Sequence, residues 1–249
     1  MELVGRTVLI TGGARGIGRE MARLLTGLGA HVIAMGRDGA QLDQLAAAHP
    51  GQVTTYSLDL ADPQALDSAI AGLRSSHPEL SVLINNAGVQ VSADFIAGEA
   101  HASLAALRRE IAVNLQAPVA LCAGLLPVLA RHPHAAVVNV TSGLAIAPKK
   151  SAPGYCATKA ALRTFSRALR YQCEDEAPQV RVLDVVMPLV ATDMTRGRGG
   201  AKMTPDEAAA RLIGALRSDK SEVFVGRSLV LRRLMRLVPG LGYRLLRDA

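Results

Sequence analysis

The sequence predicts an α/β chain: a doubly wound, parallel sheet of about seven strands with helices on both faces. Two observations carry that expectation. Seven short apolar runs rich in β-branched residues recur along the chain, at 8–10, 32–35, 53–58, 82–84, 136–140, 180–186 and 223–225. Most lack polar alternation, the pattern of strands covered on both faces. Between them lie stretches of helical period long enough for the dozen or more residues that a parallel crossover requires. No composition shift marks a linker and no segment repeats, so residues 1–249 are expected to form one domain.

Composition narrows the class. Of the 249 residues, 49% are apolar, enough for a large core. Aromatics make up only 3% and Trp is absent, so that core must be aliphatic and Ala-rich. Cys122, Cys156 and Cys173 show neither pairing nor metal-ligand spacing, which suits a reducing, cytoplasmic location. The N-terminus lacks a signal-peptide layout, and no uninterrupted apolar run approaches the ~18 residues of a membrane span. The net charge of +7 comes with no nucleic-acid motif; a basic surface suited to a polyanionic small molecule is the simpler reading. His31, His49, His77, His101, His132 and His134 are not spaced as ligands, and no metal is expected.

The first strand runs into TGGARGIG, residues 11–18, and then into an apolar-periodic helix. Gly12, Gly16 and Gly18 form a GxxxGxG turn. Glycines there permit a tight turn and a close backbone approach to a pyrophosphate, while the helix N-terminus offers free N–H donors. This is a Rossmann-type position for a dinucleotide, although the spacing differs from the familiar GxGxxG.

A second constellation carries chemistry. Tyr155 and Lys159 stand four apart in a helical stretch, so they share a face. A phenol that titrates near ~10 is a poor acid at neutral pH, and a neighbouring ammonium favours its ionised form. Thirteen residues upstream, Ser142 ends a buried strand, at the sheet edge where open α/β folds bind ligands. Asn114 lies within a helical stretch, a mediocre place for an amide unless it has a task.

These blocks resemble the short-chain dehydrogenase/reductase family. TGGARGIG, Asp59, NNAG at 85–88, Asn114, Ser142, YCATK and PLVATDM at 188–194 occur in the family's order and spacing. The resemblance implies Tyr155 as proton donor in carbonyl reduction, with Lys159 lowering its pKa and binding the nicotinamide ribose. It makes Ser142 the group that orients the carbonyl and Asn114 the holder of a water that links Lys159 to solvent. It places Gly12, Arg15, Gly16, Ile17 and Gly18 at the phosphates, Asp59 and Leu60 at the adenine, and Asn86, Ala87 and Gly88 along the adenosine ribose. Pro188, Val190 and Thr192 would flank the nicotinamide, with Thr192 on its carboxamide. Pro188–Leu189 departs from the family's usual Pro-Gly. The tail and NNAGVQ are also similar to a DltE-like bacterial subgroup of oxidoreductases, which carries no substrate with it.

The second strand ends in Gly36–Arg37 where an NAD-type enzyme carries an acid. Asp38 could be that acid, but DGAQ reads as an N-cap with Gln41 completing a capping box. Arg37 and Arg15 together suit a phosphomonoester, which favours NADP(H) over NAD(H). The partner is then a small carbonyl or alcohol substrate and not nucleic acid, in a homodimer or homotetramer. Residues 195–203, rich in Gly and Arg, are expected to form a mobile part of a substrate loop spanning about 189–210. The basic, Leu-rich arm at about 228–249 is expected to be an amphipathic helix that closes a pocket or interface, with membrane-surface contact as the lesser alternative. Two rival functions stay open: a non-catalytic NADP(H)-binding regulator on the same fold, and a membrane-associated, lipid-modifying reductase.

Overall fold

The computed structural model describes residues 1–96 and 100–248; the His101 side chain and Ala249 lie outside what it describes. Seven strands, β1 (Thr7–Thr11), β2 (His31–Gly36), β3 (Val53–Ser57), β4 (Leu80–Asn85), β5 (Ala135–Ser142), β6 (Val180–Met187) and β7 (Glu222–Phe224), form one sheet ordered β3-β2-β1-β4-β5-β6-β7. Every pairing is parallel. All seven expected strands are present, and the fold is Rossmann-like.

Alternate residues of each strand feed opposite faces. Val8 and Ile10 pack with Met21, Leu25 and Leu212 on one side, whereas Leu9 packs with Leu73, Leu121 and Leu125 on the other. The first layer belongs to helices α1 (Gly16–Gly27), α2 (Gly39–Ala48) and α7 (Pro205–Arg217); the second to α3 (Pro63–Ser76), α4 (Ala100–Ile111), α5 (Ala117–Leu129) and α6 (Pro153–Glu176). Residues of β1 and β4 are all buried, as the aliphatic runs predict. The edge strands are the exceptions: β3 (VTTYS) and the short β7 are only partly covered, each having one neighbour.

The strand order reverses between β1 and β4, which opens a crevice beyond their C-terminal ends. Thr11 closes its floor: its Oγ1 accepts from the backbone N–H groups of Asn86 and Ala87, each at 3.0 Å.

Three local features differ from expectation. Helices α4 and α5 are joined by a π-helical turn over Ala112–Gln116, so 104–129 runs as one helix long and apolar enough by composition to span a bilayer. Leu121, Cys122, Leu125 and Leu129 are nevertheless wholly buried in the core. The substrate loop ends before 210, because Thr204 caps α7 and Pro205 starts it; Val190 bridges Met203 across the loop's base. The arm is two helices, α8 (Arg227–Leu237) and α9 (Pro239–Arg247), broken where Pro239 follows Val238. Its apolar residues are divided: Leu231 and Leu246 turn to the crevice, while Val230, Leu237 and Leu245 are exposed.

Candidate active site

The crevice is a single cavity of about 1600 Å³ that extends from the glycine turn to Tyr155. At its first end, Gly12 and Gly16 adopt φ of +69° and +53°, values that L side chains rarely reach. Gly18 is fixed by contact instead: a Cβ there would lie 2.1 Å from the Gly12 carbonyl oxygen. Gly16 begins α1 and Ile17 follows on the cavity wall, whereas Gly18 is not among the lining residues; the first N–H groups of the helix have no partner within it. The segment after β6 crosses above this turn, and a Cβ on Gly16 would meet Thr192 Cγ2 at 3.3 Å. Pro188, Val190 and Thr192 all line the same cavity.

Beyond the turn stand the residues expected to read the adenosine. Arg37 is exposed on the cavity wall. Asp38 is not free to bond a ribose. Its Oδ1 accepts the Gln41 N–H at 3.1 Å and its Oδ2 accepts the Gln41 side-chain amide at 2.8 Å. It is thus an N-cap, although Gln41 reaches the carboxylate and not the cap's backbone. Arg15 lies 3.9 Å from Asp193, both well exposed, a weak pair that leaves the guanidinium available. Asp59 accepts from Ala61 N–H at 3.0 Å and from Arg109 at 2.8 Å. Burial opposes ionisation there, but these bonds and the Arg109 and Arg37 charges hold its carboxyl below the usual value. Leu60 is buried beside it.

At the far end, β5 delivers Ser142 and α6 delivers Tyr155 and Lys159. Ser142 hydrogen-bonds the Tyr155 side chain, and its Oγ accepts the Leu144 N–H at 3.2 Å. Burial pushes the Tyr155 phenol up to about 12, opposed by the Ser142 bond and the Arg198 charge. Lys159 is not the charge that lowers it: the ammonium donates to the Val140 carbonyl at 2.8 Å and sits 5.9 Å from the Tyr155 ring centre. Asn114 is wholly buried in the π turn and does not face solvent. Its amide bonds both backbone groups of Val89, each at 2.8 Å, and Thr158 Oγ1 at 3.2 Å. Gly88 joins the two groups: a Cβ on it would lie 3.5 Å from Asn114 Oδ1 and 3.6 Å from Lys159 Nζ. The structure therefore brings Asn114, Ser142, Tyr155 and Lys159 to one end of the cavity and the glycine turn, Arg15 and Arg37 to the other.

Burial also lowers Lys159 from 10.5 to about 8, opposed by the Asp184 charge. The folded chain thus holds this proton less tightly than the unfolded chain does. Charged Lys159 costs up to about 3 kcal/mol of stability at neutral pH, and stability should rise with pH between about 8 and 10.5. Lys159→Met is expected to melt at a higher temperature than wild type at pH 7, less about 1 kcal/mol for the lost Val140 bond, and to lose that rise. Thermal melts across the pH range check this; an equally steep rise in the variant would refute it.

Several residues in or beside the cavity were not anticipated for this site. Arg109 reaches Asp59 from fifty positions away along the chain, which no local pattern signals. Gln90, the last residue of NNAGVQ, and Lys149 line the cavity without a role that the motifs assign. Arg198 was marked only by its Gly- and Arg-rich loop.

Comparison with known proteins places this architecture. The short chain dehydrogenase family profile matches residues 6–202. The chain belongs to the short-chain dehydrogenase family. Its curated relatives include the uncharacterized oxidoreductase DltE of Bacillus subtilis strain 168, 38% identical over 229 residues, which span 90% of this chain and 89% of that one. A short chain dehydrogenase from Burkholderia cenocepacia J2315, solved in complex with NADP, superposes with a TM-score of 0.87 at 25% identity over the whole of both chains. A Sphingobium yanoikuyae short-chain dehydrogenase solved with NADPH gives 0.81 at 26% identity, over 95% of this chain and 94% of that one. The chain is accordingly an NAD(P)-dependent oxidoreductase of the DltE-like kind.

Proposed function

We propose that this short-chain dehydrogenase is an NADPH-dependent carbonyl reductase that interconverts a carbonyl and a secondary alcohol. The observation that carries the reading is one cavity with a Ser142–Tyr155 hydrogen bond and Lys159 at one end and the glycine turn with Arg37 at the other. Solved relatives that bind NADP or NADPH support the choice of cofactor, as does the engagement of Asp38 by Gln41.

The residues fit a dinucleotide: Gly12 and Gly16 line the cavity with no Cβ to keep a pyrophosphate from the backbone, and the cavity is large enough to take both cofactor and substrate. The bound cofactor supplies hydride to the carbonyl carbon. The chain's own groups do the rest. Ser142 donates to the carbonyl oxygen and orients it, and Tyr155 passes its proton to that oxygen as charge develops. Lys159 would hold the cofactor ribose and, once turned from Val140, would stabilise the phenolate left on Tyr155. Asn114, locked to Val89 in the π turn, keeps a polar route from Lys159 toward solvent. Three free, buried cysteines suit a reducing compartment, and we read the enzyme as cytoplasmic.

The test is NADPH oxidation against a panel of ketones, aldehydes and quinones. Turnover of at least one carbonyl class is expected. A folded protein that binds NADPH yet turns over none of them would favour the regulator reading instead.

A further inference from the structure

The Tyr155 end of the cavity carries a set of polar groups that proton transfer does not use. Lys149 lines it with only 7% of its surface exposed. Its neighbour Lys150 is exposed and pairs with Asp248, but Lys149 has no ion pair or side-chain hydrogen bond among the described residues. Its stem is packed away while the ammonium, open to the cavity, has no counter-charge, an arrangement proteins rarely keep without a use. Gln90, also on the wall, accepts from the Arg198 guanidinium through Oε1. That bond fixes the amide's orientation and leaves Nε2 as a buried donor with no partner. Arg198 itself keeps further N–H donors facing the cavity.

These groups share one chemistry. Lys149 Nζ, Gln90 Nε2 and Arg198 are all donors, and two carry positive charge. Among the described residues, the carboxylates that line the cavity are Asp38 and Asp59 at the adenosine end, Glu207 on α7, and Asp193 in the turn after β6, where Arg15 and Arg196 flank it. Among the described residues, the acid whose charge acts on Tyr155 is Glu110, which is buried and engaged by the Val91 N–H at 2.7 Å. A polyol would need acceptors as well as donors, and an apolar carbonyl would leave every one of these donors stranded.

We propose that Lys149, Arg198 and Gln90 form an oxyanion-binding subsite, so that the carbonyl substrate carries a carboxylate or phosphate group. This rests on the reductase reading above and goes further by naming the substrate class. Proximity supports it: the Arg198 charge acts on both Lys149 and Tyr155, which puts the subsite beside the reacting carbonyl. The segment that carries Arg198 is held across its base by the Val190–Met203 bridge, so the guanidinium is offered from a braced loop.

Steady-state NADPH oxidation should be compared for a homologous series of oxo acids, their methyl esters and the matching oxoalkyl phosphates. Wild type is expected to favour an anionic member over its neutral partner by about 10-fold or more in kcat/KM, the worth of one charge-assisted hydrogen bond. The acid and phosphate arms tell which oxyanion fits. Lys149→Met should collapse the acid-to-ester ratio toward one, mainly through KM, and Lys149→Arg should restore part of it. Calorimetric binding of straight-chain carboxylates and their amides, with NADP⁺ present, reads the subsite without any turnover. Tighter binding of carboxylate than amide, lost in Lys149→Met, supports the proposal even if no carbonyl tested is reduced, so failure of the reductase reading is separable. Equal binding of acid and amide, or esters turned over as well as acids, overturns it.

Discussion

Replacing Tyr155 with Phe is expected to leave folding and NADPH binding intact and to reduce turnover by about 10²–10⁴-fold, the usual cost of losing a general acid. The substitution removes one oxygen and its bond to Ser142, while the ring keeps its place on α6. In the protein alone the phenol is pushed up to about 12 by burial, and Lys159 is turned to the Val140 carbonyl. On the proposed reading, Lys159 would join the catalytic arrangement on leaving the Val140 carbonyl for a bound cofactor ribose. It follows that Tyr155→Phe should depress kcat far more than it changes the NADPH dissociation constant. Stopped-flow turnover alongside NADPH fluorescence titration measures both. A folded, NADPH-binding variant that retained near-normal turnover would remove Tyr155 from the reaction.

Arg37→Ala is expected to weaken NADPH by about 10- to 150-fold while NADH changes little, because a charge-assisted bond to the 2′-phosphate is worth roughly 1.5–3 kcal/mol. Arg37 stands exposed at the cavity wall, near enough to Asp59 to help hold its carboxyl low. Gly36→Asp added to it should invert the preference, since a carboxylate there would bond a ribose diol and repel a phosphate. The backbone has room for that change: a Cβ on Gly36 would meet only Ala14 Cβ, at 3.6 Å. Values of kcat/KM for both cofactors on wild type and the two variants decide it. A wild type that prefers NADH would mean that Asp38 leaves Gln41 to read the ribose.

The sheet was legible in the sequence because each strand is an aliphatic run and each crossover a helix-period stretch, both local patterns. The end of the substrate loop was misjudged for a local reason as well: the Thr204–Pro205 cap starts α7 within the stretch assigned to the loop. The break in the arm at Val238–Pro239 was visible as a proline but not read as two helices. Catalytic candidates were legible as motifs, yet their environments were not. Nothing near Asn114 announces a π turn that buries it. Contacts that join distant segments left no trace, as with Arg109 on Asp59. The same holds for the buried pairing of Arg163 with Asp184 at 3.2 Å beneath Lys159. Such partners are set by the sheet order, which a single sequence reveals only through the fold.

The carboxyl-terminal arm has an evolutionary consequence. Leu231 of α8 and Leu246 of α9 wall the cavity, and the arm's end is clipped to the segment before α6 by the Lys150 N–H on the Arg247 carbonyl at 2.9 Å. The family profile stops at residue 202, so this wall lies beyond the segment by which the family is recognised. Changes in the last twenty or so residues can thus alter what the chamber accepts while the glycine turn and the Tyr155 end stay as they are. For the same reason, an affinity tag fused to this terminus would change the shape of the substrate chamber, and activity screens belong on protein tagged at its amino end.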